Sequence, residues 1–322
     1  MKTHGEKTLL LFSGRAHPAL AEEVAEHIGI GVSPTQIREF PNGEIYARPE
    51  ESVRGCDAFV LQSFGQPINK WVMEALILVD ALKRASAKRI TVVMPFYPYA
   101  RQDKKHLGRE PISARLVADL FKTAGADRLM SVDLHTAQIQ GFFDGPVDHL
   151  FALPLLADYI ADKYGGGFTV VSPDTGRVRM AERWADRMGG APVAFVHKTR
   201  DPNVANQVVA HRVVGDVDGQ RCLLIDDMIA TGGTITKAAD ILLDSGATEV
   251  VVAATHGEFS EPAVDRLKNS RVSEIVVTNT LPLTDEQQFD KLTVLSIAPL
   301  IARAIKEVFE DGSVTSLFDG NA

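Results

Sequence analysis

The sequence predicts an α/β protein of two domains, each built on a mainly parallel β-sheet flanked by helices. Short runs of β-branched and other apolar residues alternate with amphipathic segments of helical length, which is the pattern of repeated βαβ units. The pattern appears in both halves of the chain, and 322 residues is a natural length for two globular domains. We therefore expect a first domain over residues 1–150, a second over 151–305, and a tail over 306–322 that packs back on the first.

In the first half, buried strands are expected where apolar runs end at polar residues, Gly or Pro. These runs cover residues 8–12, 58–62, 90–94 and 129–132. Between them, residues 68–84 and 111–123 have apolar side chains at helical spacing. In the second of these helices the apolar face is expected to carry Leu116, Leu120 and Phe121. Strand, helix and strand in succession favour parallel pairing.

The second half repeats the pattern. Strands are expected at residues 168–172, 194–197, 222–225, 250–254 and 274–278. We place the boundary between the domains near residue 150, before Pro154.

Composition excludes several classes of protein. The net charge of -8 is unfavourable for general binding to nucleic acid, so no nucleic-acid partner is expected. No apolar run approaches the roughly 18 residues that cross a bilayer, and the apolar run near the start is too short for a signal peptide. Cys56 and Cys222 are far apart and have no metal-ligand spacing, so neither a disulfide framework nor structural zinc is expected. These features favour a cytoplasmic protein without a membrane partner.

One basic stretch stands out in this acidic chain. Residues 100–109 contain four Lys or Arg and one Asp, a local charge of +3. A solvated loop is one interpretation of such a run, and a site for a small polyphosphate ligand is the other.

The strongest chemical signal is a buried strand that leads into Asp226-Asp227 and then into the turn Ala230-Thr231-Gly232-Gly233-Thr234. Glycines allow backbone N–H groups to converge on a phosphate at the positive end of the following helix, and the Thr hydroxyls add donors. Two carboxylates accept hydrogen bonds from vicinal ribose hydroxyls. The string therefore indicates a sugar-phosphate site.

This string resembles the phosphoribosyl-pyrophosphate loop of type I phosphoribosyltransferases and of ribose-phosphate pyrophosphokinases. The first half is similar to the pyrophosphokinases of the bacterial class I type, through Phe40-Pro41-Asn42-Gly43-Glu44, Arg101-Gln102-Asp103 and Asp133-Leu134-His135. The resemblance covers nearly the whole chain. It implies two tandem phosphoribosyltransferase-like domains and transfer of the pyrophosphoryl group of ATP to ribose 5-phosphate, with AMP as the second product.

The resemblance also implies residue roles. ATP would be bound by Phe40, Asn42, Gly43, Glu44, Arg101, Gln102, Asp103 and His106. Ribose 5-phosphate would be bound by Arg200, Asp226, Asp227, Ala230, Thr231, Gly232, Gly233 and Thr234. Lys198 and Arg200 would be catalytic and would stabilise charge on the reacting phosphates, while His135 and Asp174 would hold Mg²⁺.

The family resemblance further implies a homohexamer regulated by phosphate and ADP. A regulatory site would comprise Arg48, Ser313, Thr315 and Ser316. Three residues depart from the usual family pattern. Asn42 and Ala230 each replace an Asp, and His106 stands where many relatives have an acidic residue.

Two other functions remain open at this stage. A phosphoribosyltransferase would consume phosphoribosyl pyrophosphate through the same Asp226-to-Thr234 loop, although it would not need the Arg101-Gln102 motif of the first half. A non-catalytic regulatory relative would pair with an active enzyme, and the presence of His135, Asp174, Lys198 and Arg200 argues against that alternative.

Overall fold

The computed structural model describes residues 2–4, 7–199 and 210–318. The chain forms two compact units. The first contains Met1–Phe151, Thr280–Pro282 and Ser296–Ala322, and the second contains Ala152–Asn279 and Leu283–Leu295.

The first unit is built on a mainly parallel sheet. Its strands are β1 (Lys2–His4), β2 (Lys7–Ser13), β3 (Thr35–Glu39), β4 (Ile45–Pro49), β5 (Asp57–Leu61), β6 (Arg89–Met94), β7 (Arg128–Val132) and β8 (Val147–Leu150). Its first three helices are α1 (Pro18–Ile28), α2 (Ile68–Arg84) and α3 (Ser113–Ala124). In the described part of the unit the sheet order is β1-β2-β5-β6-β7-β8, with only β1 antiparallel to its neighbour, while β3 and β4 form a separate antiparallel hairpin.

Burial in α3 differs from the sequence expectation. Ala114, Val117, Ala118 and Phe121 face the core, whereas Leu116 is 57% exposed and Leu120 is 41% exposed. The expectation for these two leucines was wrong because the face of α3 that is turned to the core carries Ala114 and Ala118 beside Val117 and Phe121, and the two leucines lie off that face. Small side chains allow a helix to lie close to its neighbours, and α2 is one of the elements that α3 contacts.

The second unit is also a mainly parallel sheet flanked by helices. Its elements are α4 (Leu153–Tyr164), β9 (Phe168–Ser172), α5 (Val178–Arg187), β10 (Val193–Thr199), β11 (Ala210–Val214), β12 (Arg221–Ile229), α6 (Gly233–Asp244), β13 (Glu249–Gly257), α7 (Ala263–Lys268), β14 (Glu274–Thr278) and β15 (Leu292–Leu295). Among the described residues the order is β11-β10-β9-β12-β13-β14-β15, and β11 alone is antiparallel. The predicted α/β class with mainly parallel sheets is confirmed.

The end of the chain belongs to the first unit. Helix α8 (Ala298–Phe309) packs against α1, and Ser296 donates a hydrogen bond to Glu23. Residues 296–305, which the sequence analysis assigned to the second domain, therefore lie in the first unit, because the buried face of α8 finds its apolar partner there. Beyond α8, Phe318 packs edge-on against Phe151 with ring centroids 5.4 Å apart.

No helix in the described part of the chain combines the length and the apolar character that a membrane span requires.

Candidate active site

The paired carboxylates of the second unit lie within β12. The strand continues to Ile229, four residues beyond its expected end, because the parallel partner β13 pairs with it as far as Gly257. Asp227 is 2% exposed, and its backbone N–H donates to Asp226 Oδ1 at 2.9 Å. Burial raises the pKa of Asp226 well above its ordinary value, and the neighbouring Asp227 carboxylate adds to the rise. The pair is thus held near the carboxyl ends of the strands, where open α/β sheets bind ligands.

A basic residue that the sequence analysis missed contacts both carboxylates. Arg177 Nη2 lies 2.8 Å from Asp227 Oδ1, and Arg177 Nε lies 3.5 Å from Asp226 Oδ1. The guanidinium opposes the rise in the pKa of Asp226. The sequence did contain a signal for Arg177, because it lies three residues after Asp174 in the segment that follows the buried strand β9.

The turn after β12 leads the chain into the N-terminus of α6. Gly232 has φ of +72°, a conformation that side chains rarely adopt, and it precedes the first residue of α6. A Cβ at Gly232 would also lie 3.3 Å from Leu267 Cγ. The turn is held from outside by Arg266, whose Nη1 donates to Thr231 O at 3.1 Å. Ala230, Gly232, Gly233 and Thr234 thus surround the N-terminus of a twelve-residue helix.

Asp174 is the second residue after the end of β9, the strand that pairs with β12. Its Oδ1 accepts the backbone N–H of Gly176 at 2.8 Å, and its carbonyl accepts from Ser172 Oγ at 2.5 Å. These bonds fix a single 3₁₀ turn over Thr175–Arg177. Asp174 and the Asp226-Asp227 pair therefore occupy neighbouring strand ends, joined by the turn that carries Arg177.

The two residues expected to be catalytic are only partly covered by the structure. Lys198 is in β10, and its side chain lies outside the description, as does the whole of Arg200. Their assignment stays a prediction.

In the first unit, the segment after β6 brings several predicted nucleotide ligands to one loop. Arg101, Gln102 and His106 are exposed. Gln102 is tied to the start of α3, since its carbonyl accepts from Ala114 N at 3.2 Å and its Oε1 accepts from Ser113 Oγ at 2.7 Å. The backbone N–H of His106 donates to Glu110 Oε2 at 2.7 Å. The loop is thus ordered by its own hydrogen bonds.

Asp103 differs from its neighbours in this loop because it is buried. Its Oδ2 accepts hydrogen bonds from Thr136 Oγ1 and Gln138 Nε2, both at 2.7 Å. This carboxylate connects the Arg101 loop to the segment after His135. Its geometry is that of a positioning residue.

His135 follows β7 and is half-buried. Asp133, two residues earlier, has φ of +37°, and the backbone N–H of Leu134 donates to His149 Nε2 at 2.9 Å. This turn fixes the chain direction from which His135 projects.

The hairpin of β3 and β4 carries the other expected nucleotide residues. Its tip is closed by two backbone bonds of 2.8 Å between Phe40 and residues 43 and 44, and Asn42 Oδ1 accepts from Glu44 N at 3.2 Å. Phe40 is 40% exposed, and the guanidinium carbon of Arg38 lies 5.1 Å from the centre of its ring. An exposed aromatic face beside a cation suits a stacked base and a phosphate.

Comparison with known proteins identifies the family. Residues 9–125 match the model for the N-terminal domain of ribose phosphate pyrophosphokinase, and residues 195–319 match that for a phosphoribosyl synthetase-associated domain. The ribose-phosphate pyrophosphokinase of Streptomyces coelicolor is 69% identical over 99% of this chain and 98% of its own length. The chain belongs to the ribose-phosphate pyrophosphokinase family. The corresponding protein of Mycobacterium bovis is 64% identical, again over 99% of this chain and 98% of its own length.

A solved structure extends the family relationship to the fold. The phosphoribosylpyrophosphate synthetase of Mycobacterium smegmatis is 61% identical, covers 95% of this chain and 100% of its own, and superposes with a TM-score of 0.90. The predicted pyrophosphokinase resemblance and the phosphoribosyltransferase-like fold are thereby confirmed.

Metal binding by this chain depends on which side chains could act as metal ligands. In the part of the chain that the structure describes, no three His, Cys, Asp or Glu side chains converge to form a metal cage. Mg²⁺ does not need such a cage, since it usually binds to one or two carboxylates, waters and substrate phosphates. In Asp174, Oδ1 accepts the N–H of Gly176, and the carboxylate has a second oxygen that could bind a cation. Asp174 therefore fits a Mg²⁺ ion that arrives bound to a nucleotide.

The residues expected at the regulatory site of the pyrophosphokinase are all exposed in the first unit. Arg48 Nη2 lies 3.6 Å from Glu50 Oε1. Ser313 Oγ and Thr315 Oγ1 share a hydrogen bond of 2.7 Å, and Ser316 Oγ donates to Ser313 O at 2.6 Å. The three tail hydroxyls form one local cluster, and the regulatory role of this cluster stays a prediction.

Proposed function

We propose that this chain transfers the pyrophosphoryl group of ATP to the 1-hydroxyl of ribose 5-phosphate, giving phosphoribosyl pyrophosphate and AMP. The observation that carries the proposal is the Asp226-Asp227 pair followed by the Gly232 turn at the N-terminus of α6. Carboxylates that accept hydrogen bonds from vicinal hydroxyls, next to a turn rich in N–H donors, suit a pentose phosphate. The Arg101 loop in the first unit supports a nucleotide as the second substrate.

In this reaction the 1-hydroxyl oxygen attacks the β-phosphorus of ATP, the bond from that phosphorus to the bridging oxygen of AMP breaks, and the hydroxyl proton is released. Lys198 and Arg200 stabilise the charge on the phosphoryl oxygens. Asp226 and Asp227 orient the sugar. Phe40, Asn42, Gly43 and Glu44 contact the nucleotide together with Arg101, Gln102 and His106. Mg²⁺, when bound, would supply charge neutralisation at the phosphates. The residues expected to hold it are Asp174 in the second unit and, separately, His135 in the first.

The reaction is tested by its products. Purified protein is incubated with ribose 5-phosphate, ATP and Mg²⁺, and adenine nucleotides are separated by chromatography. We expect AMP and phosphoribosyl pyrophosphate in equal amounts. Formation of ADP in place of AMP would indicate an ordinary kinase. Release of pyrophosphate when the protein is instead given phosphoribosyl pyrophosphate and a nucleobase would indicate a phosphoribosyltransferase. Asp244→Asn, which removes an exposed ion pair at the far end of α6, is the matched control and should keep the wild-type rate.

We further propose a homohexamer in the cytoplasm, with phosphate and ADP as effectors. The exposed Phe40 hairpin supports sharing of the ATP site between subunits, and the two buried, unlinked cysteines suit a reducing compartment.

Assembly is tested by light scattering during turnover. We expect activity to fall together with the hexamer on dilution, because a monomer would lack the neighbour's Phe40. A fully active monomer would contradict the shared site.

A further inference from the structure

Arg177 is held in place by the turn that precedes it. The turn begins at Asp174, whose carboxylate accepts the N–H of Gly176, and it ends where α5 begins at Val178. The strand before it, β9, is paired with β12 through Val171 and Leu224. Arg177 is thereby carried to the strand next to the one that holds the carboxylate pair.

The contacts of Arg177 use two different nitrogens for two different carboxylates. Nη2 meets Asp227 Oδ1 at 2.8 Å, a charge-assisted hydrogen-bond distance, and Nε faces Asp226 Oδ1 at 3.5 Å. The Arg177 side chain is only 19% exposed, so solvent screens these interactions weakly. A planar guanidinium can bridge two carboxylates in this way, whereas a Lys ammonium is a point charge.

The pair needs such a cation. Adjacent carboxylates repel each other, and both desolvation and the neighbour's charge favour the protonated form of Asp226. A protonated or rotated carboxyl group would lose an acceptor for a sugar hydroxyl. The cation that touches both groups counters each of these effects.

We propose that Arg177 is a positioning residue that orients Asp226 and Asp227 for the vicinal hydroxyls of the pentose phosphate. The inference rests on the proposed function, since it concerns the sugar subsite of that reaction. Arg177 acts through the two carboxylates and does not itself have to touch the sugar.

The test compares Arg177→Gln with Arg177→Lys in steady-state kinetics on the intact protein. We expect Arg177→Gln to raise KM for ribose 5-phosphate about tenfold or more while KM for ATP changes by less than about twofold, as for loss of a charge-assisted contact at one subsite. Arg177→Lys should recover part of the loss because it restores the charge. Arg187→Gln is the matched control, since it removes an exposed ion pair with Asp158 at the other end of α5, and it should leave both KM values unchanged.

A double-mutant cycle separates positioning from a general structural role. If Arg177 acts through Asp227, adding Arg177→Gln to Asp227→Asn should raise KM for ribose 5-phosphate by less than about twofold further. Equal changes in both KM values, an unchanged KM for ribose 5-phosphate, or fully additive effects would overturn the proposal. Circular dichroism and the unfolding temperature are recorded for each variant, and if Arg177→Gln is unfolded, the cycle with Arg177→Lys decides. Failure of the proposed function would appear separately, as absence of AMP formation by the wild-type protein.

Discussion

At the residue scale, burial distinguishes Asp103 from the exposed residues with which it shares a motif. Arg101, Gln102 and His106 face solvent. The Asp103 carboxylate instead accepts hydrogen bonds from Thr136 and Gln138. Its effect on a nucleotide is therefore transmitted through the loop. Lys198 is a second residue with an expected individual role, which is to stabilise the charge that develops on the phosphates in the transition state.

We predict that Asp103→Ala raises KM for ATP several-fold and lowers the free energy of unfolding by about 1–3 kcal/mol, because the part-buried hydrogen bonds from Thr136 and Gln138 lose their charged acceptor. KM for ribose 5-phosphate should stay unchanged. Kinetics and urea unfolding on the same preparation check this. A large rise in KM for ATP without loss of stability would indicate direct contact with the nucleotide.

For Lys198→Ala we expect kcat to fall by about a hundredfold or more, with KM for ATP within a few-fold, as for a group that stabilises the transition state. Initial rates over a range of ATP concentrations check this. Comparable losses in kcat and in ATP affinity would instead indicate a ground-state role.

At the element scale, Glu274 joins β14 to its neighbours in the second unit. Tyr159 and Lys163 on α4 donate to Oε1 at 2.8 Å, and Tyr164 donates to Oε2 at 2.5 Å. Thr293 on β15 donates at 2.5 Å. Burial alone would raise the pKa of Glu274, but the bonds from these four residues outweigh it and lower the pKa to about 2.

This shift makes a prediction about acid stability. The pKa of Glu274 lies below its ordinary value of 4.5, so its stabilising effect is fully present above pH 4.5 and is lost as the pH falls toward about 2. Glu274→Gln should lower the free energy of unfolding by about 2 kcal/mol at neutral pH. Below pH 4.5, the free energy of unfolding should fall less steeply with decreasing pH in the variant than in the wild-type protein. Urea unfolding at a series of pH values checks this. Asp244→Asn, with a 71% exposed side chain, is the control and should reproduce the wild-type curve.

At the scale of the whole molecule, the chain returns to its first unit after the second is complete. Helix α8 packs on α1, and Asp311 accepts from Lys7 and, at 3.0 Å, from Arg89 Nη1. These bonds lower the pKa of Asp311 from 3.8 to about 2, so its carboxylate stays ionised to lower pH than an ordinary Asp. Residues 313–318 are thereby held on the same unit as Arg48.

Deletion of Ser313 to Ala322 is expected to abolish activation by phosphate and the part of ADP inhibition that exceeds competition with ATP, since both effectors would bias one assembly state. Rates are measured over phosphate and ADP concentrations. The deletion also removes Phe318 from Phe151, so the triple variant Ser313→Ala, Thr315→Ala, Ser316→Ala, which keeps that contact, is the matched comparison. Unchanged phosphate activation in the triple variant and in the deletion would place the regulatory site elsewhere.

The sequence by itself determined the α/β class, the central strands and the turn after Asp227. These features are local, because an apolar run, a glycine and a helix start are encoded in neighbouring residues. The hairpin of β3 and β4 escaped sequence analysis because none of its strand residues is buried, so it lacks the buried apolar run that marks β5 or β12. The motifs also identified the family, since their order along the chain is itself sequence information.

Only the tertiary structure decided which side chains meet across long separations. The contact of Arg177 with Asp226 and Asp227 spans about fifty residues and depends on β9 lying beside β12. The burial of Asp103 depends on a loop more than thirty residues away, and the return of α8 depends on an apolar face of α1. Such contacts follow from sheet order and helix packing, which residue spacing along the chain does not specify.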